Sequence, residues 1–188
     1  SEYSPTPFGD WSGATGFCAV RVEADSTQRL WRFGLDGSNP RLVVSEVDSV
    51  GYFAWIDERH IAAFVLGNEE RKQPHTLRVI DLVTQSETVV ARDIGRAIHR
   101  IPDTRDISFT IQEGDRYRFF VLKQGRTAGE PLIDGVGGGQ DAAWLDDGTM
   151  LTSSGALIYA ANPLGGHDLE KARGAWSPVA DFTDYGVT

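Results

Sequence analysis

Short apolar runs alternate with polar turns along most of the chain. The runs are rich in Val, Ile, Phe, Tyr, Trp and Thr, and they are separated by Gly, Asp, Asn, Pro and Ser. This arrangement predicts short β-strands joined by turns. Along residues 29–35 the side chains alternate, so that Trp31 and Phe33 face one way and Arg32 the other. Residues 60–66 are apolar on both faces, which predicts a strand that is covered on both sides.

The pattern predicts an all-β chain. The candidate strands span residues 16–24, 29–35, 41–47, 51–56, 60–67, 76–83, 87–94, 97–101, 106–113, 117–123, 130–136, 141–145, 149–155, 156–162 and 176–182. A helical signal occurs only at residues 167–173, where a short polar segment ends at Gly174.

The strands form a repeat. The third strand of each group is marked by residues at steps of 47, 40 and 40, namely Leu30, Leu77, Tyr117 and Leu157. The first strand is marked at steps of 45 and 44 by Trp55, Arg100 and Trp144. A four-stranded unit of about 40–45 residues has the period of a propeller blade, and stacked blades bury the faces that a single twisted sheet leaves open. We therefore predict one β-propeller domain of four-stranded antiparallel blades, with blades at residues 1–49, 50–95, 96–139 and 140–188.

The repeated phrases carry a family resemblance. Residues 29–43 read RLWRFGLDGSNPRLV, residues 54–64 read AWIDERHIAAF, residues 99–109 read HRIPDTRDISF and residues 143–151 read AWLDDGTML. A polar turn before an inner strand, followed by an aromatic strand that ends in Asp-Gly, resembles the TolB-like repeats of bacterial WD40-like β-propellers. Leu-Asp-Asp-Gly stands here where that family usually has Ser-Pro-Asp-Gly. The resemblance covers nearly the whole chain. It is specific for architecture but weak for function, because propellers carry many unrelated functions.

The number of blades departs from the family pattern. TolB-like propellers usually have about six blades, and this chain encodes about four. Three arrangements fit this count: a closed four-bladed propeller, a partial propeller completed by a second copy or another chain, and a piece of a longer protein. An incomplete propeller exposes sheet faces, which predicts self-association.

Charge and composition narrow the classes of partner. The chain has 18 Lys and Arg against 27 Asp and Glu, a net charge of −9, which disfavours nucleic acid because phosphate binding needs clustered cations. No apolar run has the length of a membrane span, and no signal peptide is recognised in these 188 residues. The single cysteine, Cys18, lies in the apolar run FCAV, which predicts a buried, inert thiol.

The candidate binding residues lie at the start of the third blade. The first strand of a blade lines the channel of a propeller, so we place His99 and Arg100 at the channel mouth together with Arg96. With Arg92 and Arg105, these arginines would present a site for an anionic group. The competing interpretation is a salt-bridged, solvated loop beside a hydrogen-bonded structural histidine.

The sequence gives weaker signals for a metal site, a cofactor site and an aromatic ligand platform. The four histidines lack zinc-ligand spacing, and Asp141, Asp146 and Asp147 lack the pattern of a calcium loop, so we predict no metal. Residues 135–139 are glycine-rich but are not followed by the Lys-Ser/Thr of a phosphate-binding loop, so we predict no cofactor. Trp55 and Trp144 recur at the repeat period, which favours packing between blades over a ligand platform.

The resemblance implies a non-enzymatic propeller that binds a protein or peptide through its loops or its channel. It also implies a periplasmic or otherwise exported location. The alternative is a hydrolase or lyase with its site at the channel mouth, or the propeller part of a larger hydrolase. No catalytic residue is selected by the spacing of the acidic and nucleophilic side chains.

Overall fold

The computed structural model describes residues 2–7, 15–165 and 176–187. The predicted helical segment at residues 167–173 lies outside the described residues. Sixteen strands form four antiparallel four-stranded sheets, which confirms the predicted all-β architecture. The helical structure in the described ranges is a single 3₁₀ turn at Thr183–Tyr185, and none of it has the length and hydropathy of a membrane span. The chain divides into two compact units, Ser1–Val89 and Val90–Thr188.

The first unit contains two sheets, with the strand orders β1-β2-β3-β4 and β5-β6-β7-β8. The strands are β1 (Glu2–Pro7), β2 (Gly16–Val22), β3 (Gln28–Gly34), β4 (Arg41–Leu42), β5 (Val50–Trp55), β6 (His60–Val65), β7 (Thr76–Asp81) and β8 (Glu87–Arg92). The end of β8 extends beyond Val89, the last residue of the first unit. Strand β6 is buried along nearly its whole length, as its two apolar faces predict.

One core joins these two sheets. Cys18 and Leu30 from the first sheet are fully buried with Ile61 and Ile80 from the second. Trp55, at the end of β5, packs against the same cluster. Because side chains alternate between the faces of a strand, each sheet contributes every second residue to this core.

The second unit contains the sheets β12-β11-β10-β9 and β13-β14-β15-β16. The strands are β9 (Ile94–Arg100), β10 (Ile107–Glu113), β11 (Arg116–Leu122), β12 (Glu130–Asp134), β13 (Ala142–Trp144), β14 (Met150–Ser154), β15 (Leu157–Ala161) and β16 (Ser177–Asp181). Phe119 and Ile133 of one sheet pack against Met150 and Ala161 of the other, and Trp144 lies against this cluster. The prediction that Trp144 is a packing residue is confirmed.

The Leu-Asp-Asp-Gly segment at residues 145–148 forms the turn before β14, as the sequence pattern predicts. The N–H of Leu145 donates to the carbonyl of Thr149 at 2.8 Å, and the Asp147 carboxylate accepts the N–H of Thr149 at 2.9 Å. Gly148 has φ 82°, a conformation that side chains disfavour. Asp146 and Asp147 therefore belong to a turn, as predicted.

Two strands differ from the expectation. Strand β1 was not predicted, because Pro5 and Pro7 argue against a strand; it is an edge strand, and its register shifts between Tyr3 and Thr6. Edge strands and bulges are where proline is tolerated, because no ladder hydrogen bond is lost there. Within residues 41–47 the strand covers only Arg41–Leu42. The N–H of Val43 still donates to the carbonyl of Leu30 at 2.9 Å, and Val44 and Val47 are buried in the core.

Candidate functional site

The predicted site residues lie on β9, an edge strand that carries a bulge. Ile98 pairs with Phe109 and Ile94 pairs with Ile111, so residues 95–97 face the single residue Thr110. A bulge bends a strand and redirects its side chains, and it is a frequent neighbour of functional sites. Here it places Arg96 in solvent while the flanking isoleucines stay buried.

Glycine is required inside this bulge. A Cβ on Gly95 would lie 2.3 Å from Oγ1 of Thr110, with Tyr117 and Gln140 within 3.1 Å. Thr110 is fully buried, so its hydroxyl has no room to retreat. The sequence Gly-Arg at the start of β9 therefore allows the backbone of β9 to approach β10 closely.

Arg96 forms a two-point ion pair with Asp141, the residue before β13. Its Nε lies 2.7 Å from Oδ1 and its Nη2 lies 2.6 Å from Oδ2. Both side chains are about half exposed, at 52% and 53%. The pKa of Asp141 is lowered, first by the hydrogen bond from Arg96 and then by the charges of Arg96 and His99. The N–H of Arg96 also donates to Oε1 of Gln140 at 3.3 Å.

His99 is half-buried beside this pair. The pKa of His99 is lowered because burial disfavours the charged imidazolium, while the charge of Asp141 acts in the opposite direction. The carbonyl of His99 accepts the hydroxyl of Ser108 at 3.3 Å, and Oγ of Ser108 accepts Nε1–H of Trp144 at 2.8 Å. Hydrogen bonds therefore connect the backbone of His99 to Ser108 of β10 and, through that hydroxyl, to Trp144 of β13.

Arg100 does not join Arg96. Its Nε donates to the carbonyl of Thr104 at 2.6 Å and so stabilises the turn that follows β9. Arg100 is the last residue of β9, and Trp55 and Trp144 hold the same position in β5 and β13. The structure therefore brings Arg96 and His99 to one carboxylate, and it gives Arg100 a role in a turn.

The remaining predicted arginines are spread apart. Arg92 ends β8 and Arg105 lies in the turn after β9, with only Asp93 between β8 and β9. Asp141, Ser108 and Gln140 were missed as partners of the predicted site. A signal existed for Asp141: it lies 45 residues after Arg96, which is one repeat period.

Outside β9, the single cysteine is the remaining nucleophilic candidate of the sequence. Cys18 is fully buried, which confirms its predicted burial, and that burial raises the pKa of its thiol to about 12. Within the residues that the structure describes, no group of three or more His, Cys, Asp and Glu side chains is arranged to hold a metal ion.

Comparison with solved structures identifies the fold. TolB from Acinetobacter baumannii matches with a TM-score of 0.70 and 14% identity, over 96% of this chain and 44% of that chain. The β-propeller domain of the Trilobed protease from Pyrococcus furiosus matches with a TM-score of 0.61 and 14% identity, over 96% and 57%. An oligogalacturonate lyase in complex with manganese matches with a TM-score of 0.68 and 11% identity, over 95% and 54%.

The sequence comparisons add no family name. No protein-family model matches the chain, and no curated protein matches it. The chain spans about half the length of the solved structures that it matches. At these identities the likeness concerns the fold alone. The four sheets are blades of that fold, and the chain is a TolB-like β-propeller in its architecture.

Proposed function

We propose that this chain is a non-enzymatic propeller module that binds a protein or peptide, with its blades at residues 1–49, 50–95, 96–139 and 140–188 in one domain. The binding residues are His99, Arg96 and Arg100 on β9. The observation that carries the proposal is the exposed Arg96–Asp141 pair beside a half-buried histidine on an edge strand.

An edge strand suits a polypeptide ligand. Among the described strands, β9 pairs with β10 alone, so one row of its peptide groups is not used by its own sheet. An extended peptide recognises such an edge by main-chain hydrogen bonds, and nearby side chains select its sequence. The bulge at residues 95–97 interrupts this row, which limits pairing to short segments.

The Arg96–Asp141 ion pair offers a ligand both a positive and a negative group, and breaking the pair costs little free energy. A solvent-exposed pair contributes about 0–1 kcal/mol, so a ligand can replace one of its members without a large penalty. An acidic group of the ligand would take the Arg96 guanidinium, and a basic group would take the Asp141 carboxylate. His99 offers a mostly neutral ring beside them, since burial lowers its pKa.

The neighbouring polar groups support binding over nucleophilic catalysis. A serine nucleophile needs a base in hydrogen-bond reach of its hydroxyl. The hydroxyl of Ser108 instead donates to the carbonyl of His99 and accepts from the indole of Trp144. The carboxylate of Asp141 is held by Arg96.

A hydrolase or lyase is the second candidate, and His99 is the observation that favours it. Burial lowers the pKa of this imidazole and so favours the neutral form, which is the form that a general base needs. If the chain carries such an activity, His99→Ala removes it. Retention of the full rate in that variant would exclude His99 as the base.

The binding proposal is tested with a random peptide library displayed on phage and selected on the chain. We expect a shared sequence among the selected peptides, and we expect Arg96→Ala to weaken the best peptide by about tenfold in fluorescence anisotropy. Arg126→Ala is the matched control, because Arg126 is also an exposed arginine of the second unit. Equal binding by the wild type and the Arg96 variant would contradict the assignment of this site.

We infer a periplasmic or exported location from the TolB-like architecture, and fractionation of the native cells tests it. We also propose that, if the four blades form an incomplete propeller, a second copy of the chain completes it. Sedimentation equilibrium then gives a dimer mass, and a monomer at every concentration contradicts the inference.

A further inference from the structure

The first unit contains a cavity that the β9 site does not involve. It has a volume of about 350 Å³ and lies where β3 ends and β4 begins. Its walls are formed by Thr15, Arg32, Phe33, Gly34, Asn39 and Arg41. Sites for small molecules have volumes of about 300–1,000 Å³, so this space is of the right size for a small organic ligand.

Two arginines face each other at this cavity. Arg32 of β3 and Arg41 of β4 are direct partners across the two strands. Side chains in such a pair start about 4.5–5.5 Å apart at Cβ, and like charges there repel. An anion placed between the two side chains would be attracted by both guanidinium groups.

No carboxylate among the described residues forms an ion pair with Arg41. This side chain makes no ion pair or side-chain hydrogen bond within the part of the chain that the structure describes, and it is exposed. Asp36, in the same hairpin, is directed to its own turn, where Oδ1 accepts the N–H of Ser38 at 3.0 Å. By contrast, Arg59 and Arg78 of this unit each hold a carboxylate.

The other walls add hydrogen-bonding groups. Nη2 of Arg32 donates a hydrogen bond to Oγ1 of Thr15 at 3.5 Å, and both residues line the cavity. Asn39, with φ 53°, supplies an amide from the hairpin. Guanidinium groups bind carboxylate and phosphate oxygens through paired, charge-assisted hydrogen bonds.

We propose that this cavity binds a small organic oxyanion, a carboxylate or a phosphate, between Arg32 and Arg41, with Asn39 and Thr15 as additional polar contacts. This ligand site is separate from β9, so it does not depend on the proposed protein or peptide binding. It places two guanidinium groups on neighbouring strands of a chain whose net charge is −9.

The test follows the Nε–H signals of arginine by NMR while succinate, inorganic phosphate or neutral succinamide is added. We expect saturable shifts of the Arg41 signal by succinate, by phosphate or by both, with millimolar affinity of about 1–10 mM, and none by succinamide. Succinate alone identifies a carboxylate ligand, and phosphate alone identifies a phosphate ligand.

Variants make the test specific. Arg41→Gln should weaken binding by about tenfold or more, because one of the two guanidinium groups is lost. Asn39→Asp should weaken it as well by adding a negative charge, and aspartate tolerates the positive φ at this position. Arg71→Gln is the control, since Arg71 is an exposed arginine outside the cavity. The proposal is overturned if no signal saturates below about 50 mM anion, if succinamide binds equally well, or if Arg41→Gln binds as the wild type does.

Discussion

The indole Nε1 of Trp144 donates a hydrogen bond to Oγ of Ser108 at 2.8 Å, and this bond joins the first strand of one sheet to the second strand of its neighbour. The same indole packs against the apolar cluster around Phe119 and Met150. Trp144 therefore connects two sheets of the second unit through both an apolar and a polar contact.

Trp144→Ala should lower the free energy of unfolding by roughly 3 kcal/mol, near the lower end for loss of a large aromatic, because the ring is only partly buried. Trp144→Phe keeps most of the packing and removes the hydrogen bond, so its cost should be about 1 kcal/mol. Urea denaturation measures both. A loss below about 1 kcal/mol for the alanine variant would show that the ring does not anchor the sheets.

Gly95→Ala should destabilise the chain by about 1–3 kcal/mol, because its Cβ would lie 2.3 Å from the buried hydroxyl of Thr110. Adding Thr110→Ala should recover part of this loss. Gly138→Ala is the control, since a Cβ there meets nothing within 4 Å. Thermal unfolding of the wild type and these three variants separates a local clash from a general effect of losing glycine.

Arg96→Gln should lower stability at neutral pH by less than about 1 kcal/mol, because the pair with Asp141 is half exposed and screened by solvent. The folded state lowers the pKa of Asp141, so the contribution is present above the ordinary aspartate pKa of about 3.9. It is lost as the pH falls through the folded-state pKa. Denaturation of the wild type and the variant at several pH values should therefore converge in acid, and a constant difference would contradict the assignment.

The pKa of His99 should lie below that of an exposed histidine in an NMR titration, because burial disfavours its charged form. A lowered folded-state pKa means that the unfolded chain binds the proton first as the pH falls. His99 therefore reduces stability as the pH falls from above the ordinary value of about 6.5 through its folded-state pKa. His99→Gln should remove this part of the pH dependence.

Cys18 should not react with a thiol reagent in the folded chain, because it is fully buried and burial raises its pKa to about 12. The reaction should become complete in denaturant. A rate measured at intermediate denaturant should follow unfolding of the first unit, where Cys18 belongs to the core. Rapid labelling without denaturant would show that the core around β2 opens.

Parts of the fold that depend on local pattern were predictable. Leu30, Leu77, Tyr117 and Leu157 do lie in β3, β7, β11 and β15, the third strands of the four sheets. Strand β1 was missed, because the cost of Pro5 depends on its being at an edge with a register shift, which is not a local property.

The candidate site was predictable only in part. The residues His99, Arg96 and Arg100 were chosen from their place at the start of a blade, and all three lie on β9. Their partners were not evident, since a strand pattern does not show which side chains of neighbouring sheets meet. Arg100 in particular contacts its own turn rather than the other two.

The sequence by itself determined an all-β chain of four four-stranded sheets, because strand alternation, turn residues and repeat period are local properties of the chain and need no distant partner. Only the tertiary structure decided that Arg96 meets Asp141, that Ser108 meets Trp144 and that Arg41 faces Arg32 at a cavity. Those contacts depend on the bulge in β9, on the strand register and on the stacking of the sheets. The Arg96–Asp141 and Ser108–Trp144 contacts join residues 45 and 36 positions apart in sequence, and the Arg32–Arg41 pair depends on the register of its hairpin.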